Sequence, residues 1–305
     1  MVLHWFKLIL LQAKFRNCES LTADVLPVTD WLYDIAYSPD GKYLAGADYC
    51  GELLLHDANT LAHIGTSKGG FAFPCACLAF SPNSQLIATG RENGAIVVHS
   101  VPSLEVVSTL LDVHQKAVHG IAFSPTRKIL ASCDTTGVVV VTDLDSGESL
   151  KRLGTQSQCR WVEFTPDGSY LAYCLTNGST VLLNAQSQWE STSAPLRQVG
   201  HAGGWYRCSF AVYRGAGDSA AKDDLPTLSP GQLLLATSSS YDTRVNIYTV
   251  DAAARCTRVR VINTGSGGPK GFVGVFQARF SPDGTLVAVA CKEGVLQVFD
   301  VATGA

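Results

Sequence analysis

The chain has 305 residues, of which 46% are hydrophobic and 16% charged, and its formal net charge is −3. That length and apolar content suffice for one large domain or two small ones with a sizeable core, and they exclude a disordered chain. With 23 Lys+Arg against 26 Asp+Glu there is no basic field of the kind a free-standing nucleic-acid binder carries. The charged fraction lies below the roughly 25% usual for soluble domains, which points to a surface that partly faces a partner.

Residues 1–19 form an N-terminal arm. The first 18 contain Lys7, Lys14 and Arg16, no acid, and a short apolar run from Leu8 to Leu11. Lys7 interrupts the apolar stretch and no small-residue cleavage site follows, which argues against a secretory signal. The basic, acid-free character leaves organellar targeting by residues 1–18 open, and the expectation is a retained arm, helical or extended. No stretch of 18 apolar residues occurs, so no membrane insertion is expected. The ten cysteines are scattered from Cys18 to Cys291, the pattern of reduced, buried thiols rather than a disulfide framework. Cys75 and Cys77 lack a second pair at zinc spacing, so neither metal nor cofactor is expected.

From residue 20 onward a compound motif recurs. Tyr37-Ser-Pro-Asp-Gly41, Phe80-Ser-Pro-Asn83, Phe123-Ser-Pro-Thr126, Phe164-Thr-Pro-Asp-Gly168, Leu228-Ser-Pro-Gly231 and Phe280-Ser-Pro-Asp-Gly284 are each a turn. Proline presets φ, Asp or Asn bonds its own backbone, and glycine accepts positive φ. An alternating strand precedes each turn, such as Val118 to Phe123, and an apolar strand follows, such as Ile129-Leu-Ala. A second turn, for example Asn93-Gly94 or Asn177-Gly178, leads to a third strand ending near His56-Asp57, His99-Ser100, Thr142-Asp143, Leu183-Asn184, Tyr248-Thr249 and Phe299-Asp300. A looser fourth strand opens the next unit. The units run about 20–58, 59–100, 101–143, 144–184, 185–250 and 251–301, with a polar loop insertion at 214–226 lengthening the fifth.

Four short strands per repeat of roughly 40–45 residues is the period of a propeller blade. These residues resemble the WD-repeat β-propeller family over residues 20–305. The resemblance implies an all-β fold, a single propeller of four-stranded antiparallel blades. Six blades are expected; the alternative is a seven-bladed ring to which residues 1–19 contribute. For six, the strand at Leu21 to Pro27 is available to complete the last blade and remove an open edge. No unit ends in the family's Trp-Asp. Its hydrogen-bonded tetrad is best approximated by His201, Ser240, Asp242 and Tyr248, and His114 takes the same place as His201 in its own unit.

A search for chemistry finds no Gly-x-Ser-x-Gly elbow and no His-Glu-x-x-His helix. Gly265-Ser-Gly-Gly-Pro-Lys270 is followed by Gly271 where a phosphate loop needs Ser or Thr. His56 and His99 sit where the family carries Trp, which reads as packing replacement. The Trp-Asp-x-Arg of ubiquitin-ligase adaptors is absent: those positions read His56-Asp-Ala-Asn59 and Phe299-Asp-Val-Ala302. The turn register places Tyr33, Ala76, His119, Arg160, Tyr206 and Phe276 at one equivalent position, where the resemblance implies the rim of the propeller's binding face. Trp31, Tyr33, Tyr49, Arg160, Tyr206 and Tyr241 are the candidate contact residues, because aromatics and arginine dominate interface hot spots.

The expected function is therefore a non-enzymatic protein–protein interaction scaffold, a subunit or adaptor of a larger multiprotein assembly. The alternatives are a small-molecule-binding or catalytic propeller using the channel mouth, and the protein-binding subunit of a ribonucleoprotein with RNA contact through the N-terminal arm. Direct DNA binding is not expected. A cytoplasmic location follows from this reading, with cytoskeletal, ciliary or nuclear assemblies also open.

Overall fold

A computed structural model describes residues 32–67, 73–187, 189–191, 196–197, 206–215, 228–240, 242–264, 274–291 and 296–305. The N-terminal arm, the expected strand at Leu21–Pro27, residues 216–226 of the insertion and Gly265–Lys270 lie outside these residues. No helix occurs among the described residues, and none is long and apolar enough to cross a membrane. The chain divides into two compact units, one ending at Cys159 and the other beginning at Arg160.

The first unit holds three antiparallel sheets, each a meander of four strands in sequence order. They are β1 to β4 (Leu32–Tyr37, Tyr43–Asp48, Leu53–Asp57, His63–Ser67), β5 to β8 (Cys75–Phe80, Leu86–Arg91, Ile96–Ser100, Val106–Leu110) and β9 to β12 (Val118–Phe123, Ile129–Asp134, Val138–Asp143, Ser149–Gly154). The second unit holds three more. The fourth sheet is β13 to β15 (Cys159–Phe164, Tyr170–Leu175, Ser179–Asn184), with the short β16 (Glu190–Ser191) and β17 (Leu196–Arg197) both pairing β15. The fifth is β18 to β21 (Tyr206–Val212, Leu233–Ser239, Arg244–Val250, Cys256–Asn263), and the sixth, as described, is β22 to β24 (Val275–Phe280, Leu286–Cys291, Leu296–Asp300). The fold class is the expected one, a β-propeller of six blades, three in each unit.

The recurring turn holds the first two strands of a blade together through one hydroxyl. Tyr43 N donates to Ser38 Oγ (2.9 Å), and Ser38 Oγ donates to Asp40 Oδ1 (2.6 Å). The same clasp joins Leu86 N, Ser81 and Asn83, then Tyr170 N, Thr165 and Asp167, then Leu286 N, Ser281 and Asp283. Each hydroxyl thus replaces water for a backbone donor at the mouth of a hairpin, which is why Ser or Thr precedes Pro-Asp. The third and fifth sheets depart: Ser124 Oγ accepts from Thr126 N and Arg127 N while Ile129 N donates to Arg127 O, and Ser229 N takes the side chain of Gln232. At the second turn, glycine is required at Gly94 and Gly137. Both have φ +89°, and an added Cβ would lie 2.2 Å from His114 O and 2.3 Å from Ser157 O.

Packing lies between sequence-adjacent sheets. Ala45, Leu53 and Leu55 meet Cys75, Leu78 and Ile87. Cys77, Ile96 and Val98 meet Val118, Ile121 and Leu130. In the second unit Trp161, Cys174 and Leu182 meet Cys208, Phe210 and Leu235, while Ala236, Val245 and Ile247 meet Val275, Val287 and Val289. Strands buried on both sides explain the near-continuous apolar runs, and each such Leu or Ile stabilises the fold by about 1.5–3 kcal/mol.

Two bulges recur with the repeat. In the innermost strands one extra residue interrupts pairing at Tyr33, Ala76, His119 and Phe276. In the outermost strands the extra residue is Ile64, Val107, Leu150 and Val259. A bulge bends the strand and re-aims its side chain, and it blunts a free edge against pairing.

Candidate functional site

The inner bulge is the structural identity of the position that the turn register singles out. At Tyr33 it produces an exposed aromatic: Tyr33 and Tyr49 stack with ring centroids 5.9 Å apart and an interplanar angle of 27°. Tyr33 is 37% exposed and Tyr49 51%, so this contact is made on the surface. Burial, then the Glu92 carboxylate, then Tyr49 push the Tyr33 hydroxyl pKa above its ordinary value, so an acidic group accompanies the ring pair. His119 and Phe276 occupy the same bulge half-buried, and Ala76 is buried. Arg160 is half-buried on β13. Tyr206 opens β18, its backbone paired with Ser239. Trp31 and Tyr241 lie outside the described residues. The structure therefore brings Tyr33 and Tyr49 together and describes Arg160 and the backbone of Tyr206 singly.

Of the tetrad candidates, His201 also lies outside the described residues. Ser240, Asp242 and Tyr248 are buried. Asp242 Oδ1 accepts from Arg244 N (3.1 Å) and Arg244 Nε (3.0 Å), while Tyr248 shares a hydrogen bond with the side chain of Thr237. A fully formed polar network sits instead in the third sheet. His114 Nδ1 is 2.9 Å from Asp134 Oδ2, and His114 Nε2 is 2.8 Å from Ser132 Oγ. Asp134 Oδ1 also accepts from Thr136 N, Thr136 Oγ1 and Val138 N. Burial alone would raise the Asp134 pKa, but these donors outweigh it and hold the carboxyl at about 2. Thr142 stands where a tryptophan would complete the set.

His56 and His99 each direct Nδ1 toward a backbone carbonyl, Leu61 O at 3.3 Å and Leu104 O at 3.2 Å, and His99 Nδ1 also meets Ser67 Oγ. Burial lowers the pKa of both, which keeps the rings neutral. Among the described residues no three His, Cys, Asp or Glu side chains come together as a metal site.

The second unit contains a polar cluster that sequence reasoning missed. Trp161 Nε1 donates to Glu163 Oε2 (2.9 Å), and Arg279 Nη1 contacts both oxygens of Glu163 (3.0 and 2.9 Å). Glu163 Oε1 also accepts from Phe210 N (3.3 Å). The guanidiniums of Arg207 and Arg279 lie 4.6 and 4.9 Å from the Trp161 ring centroid, and Arg207 Nη1 donates to Gln277 Oε1 (3.0 Å). The available signal was register: Glu163 and Arg279 each stand just before the turn Phe, where the first three repeats have Ala36, Ala79 and Ala122.

Comparisons with known proteins follow the same lines. The family described as anaphase-promoting complex subunit 4 WD40 domain matches residues 78–162. A chain in the crystal structure of a mitotic checkpoint complex superposes with a TM-score of 0.74 at 19% identity, over 93% of this chain and 83% of that one. No curated protein sequence matches. With the repeat and the six sheets, these findings show a β-propeller fold, similar over residues 78–162 to a WD40 domain family.

Proposed function

We propose that the protein is a non-enzymatic interaction scaffold, a subunit or adaptor that holds other proteins of a larger assembly. The observation that carries the reading is the Tyr33–Tyr49 pair, two large aromatic rings stacked in the open at a bulge. Exposed aromatics supply contact area at low entropic cost, and a core has no use for them there. The likeness to a chain of a mitotic checkpoint complex supports the subunit part of the reading. Trp31, Arg160, Tyr206 and Tyr241 extend the proposed contact set. Substituting Tyr33 and Tyr206 together by alanine tests it. Loss of co-purifying partners with an unchanged melting temperature is expected, and a full partner set bound by the folded variant would overturn the contact set.

A further inference from the structure

In the first unit a buried arginine fixes the loops at one end of the first two sheets. Arg91 closes β6 and is fully buried. Its Nη1 donates to Gly51 O (2.9 Å), in the turn between β2 and β3, and to Phe73 O (3.4 Å), just before β5. The backbone N–H of the next residue, Glu92, donates to Pro74 O (3.1 Å). One guanidinium thus ties the turn that carries Tyr49 to the segment before β5, and Glu92 is fastened to the same segment. The charge of Arg91 is offset inside the fold. Burial raises the Cys75 thiol pKa, and there Arg91 and buried Asp48 act in opposite senses.

The side chains that this hub presents are of two kinds. Tyr33, Tyr49 and Phe73 are exposed aromatics, and the first two are stacked. Glu92 is exposed, and among the described residues its carboxylate makes no ion pair and no hydrogen bond. After burial, that carboxylate is the next cause of the raised Tyr33 hydroxyl pKa, so its charge reaches the ring pair. Aromatic faces attract cations, arginine more often than lysine. A carboxylate meets the two parallel N–H groups of a guanidinium, whose flat surface also lies on an aromatic ring. An acidic ligand would be repelled here, and a wholly apolar one would strip water from Glu92 and return no partner.

We propose that Tyr33, Tyr49 and Glu92 bind an arginine side chain of a partner protein, its guanidinium on the tyrosine pair and against the Glu92 carboxylate. The proposal rests on the scaffold reading, whose contact set contains both tyrosines, and adds the chemistry of what they grip.

The test uses the full chain and three labelled octapeptides that alternate Gly with Arg, with Lys or with citrulline, the neutral analogue of arginine, followed by fluorescence anisotropy. The Arg peptide is expected to bind, more weakly as salt rises. The Lys peptide is expected to bind about threefold more weakly and the citrulline peptide about tenfold. Glu92→Gln and Tyr49→Ala should each weaken the Arg peptide about fivefold or more. Glu148→Gln, which removes an exposed acid at the opposite end of the third sheet, should leave it unchanged. Thermal melting confirms that each variant is folded; if Tyr49→Ala is not, the exposed Glu92→Gln decides. No binding of the Arg peptide, or equal binding of the Lys or citrulline peptide, would overturn the proposal. So would a folded Glu92→Gln or Tyr49→Ala that binds like the parent, or an equal loss in Glu148→Gln, the mark of diffuse charge attraction. Partners that stay on Glu92→Gln but leave the Tyr33→Ala/Tyr206→Ala variant would overturn the arginine and keep the scaffold. A parent that purifies alone would overturn the scaffold, and the peptides then decide the site by themselves.

Discussion

The two units solve one repeat with different chemistry. In the first, the blades bury Asp48 and Arg91, whose Nη1 donates to Gly51 O, and two histidine-centred contacts: His114 joins Asp134 to Ser132, and His99 links Ser67 to Leu104 O. Its inner strands are nearly uncharged and its exposed feature is aromatic. In the second, the inner strands carry arginines around one tryptophan and one glutamate. The outer strands differ too. The bulge residue is exposed at Ile64, Val107 and Leu150 but buried at Val259, which packs in the core with Ile262. The same turn clasp therefore builds both halves, and the positions it leaves free carry the difference.

The largest effect expected is at the His114 network. Asp134→Ala removes the acceptor of four hydrogen bonds and strands a buried imidazole, at a cost of about 3 kcal/mol in chemical denaturation. His114→Ala should cost a similar amount, and the double variant far less than the sum, because both act on one network. Additive losses would break the claim that the first unit is organised around it.

Next comes the clasp, which both units share. Thr165→Val in the second unit and Ser81→Ala in the first should each cost about 1–2 kcal/mol, since a strand N–H loses its partner. A large loss in only one unit would show that the clasp matters less than the packing around it.

Acid sharpens the contrast further. His56 and His99 have pKa values below the ordinary 6.5, so the unfolded chain binds protons first as pH falls. Stability is then fully present above about pH 6.5 and declines as pH drops toward the folded-state pKa values. Melting temperatures between pH 7.5 and 5 should fall, and His99→Gln should flatten that slope. Asp134 adds a separate loss only near pH 4 to 2.

The smallest stability effect is expected at the surface pair. Tyr33→Ala and Tyr49→Ala should change stability by about 0.5 kcal/mol or less, because both rings are exposed. A loss near that of a core residue would recast the pair as structural.

Much of this architecture was legible in the sequence. The Ser-Pro-Asp-Gly turn is local chemistry, so its spacing reported the order of strands within each repeat. The equivalence of Tyr33, Ala76, His119 and Phe276 was also readable, although their shared bulge was not, since a bulge is a property of pairing between strands. The His114 network was harder, because its residues are 18 and 20 positions apart and only His114 carried a recognisable place. Least legible was the Trp161 cluster. Glu163 and Arg279 are 116 residues apart, and their contact depends on how sheets pack rather than on any local pattern.

The most direct test of the scaffold reading is native purification of the tagged full chain beside its Tyr33→Ala/Tyr206→Ala variant, with sizing and mass spectrometry. The account predicts a defined partner set in fixed stoichiometry with the parent, lost from a variant that melts at the same temperature. A parent that elutes alone as a 32.5 kDa monomer would contradict it.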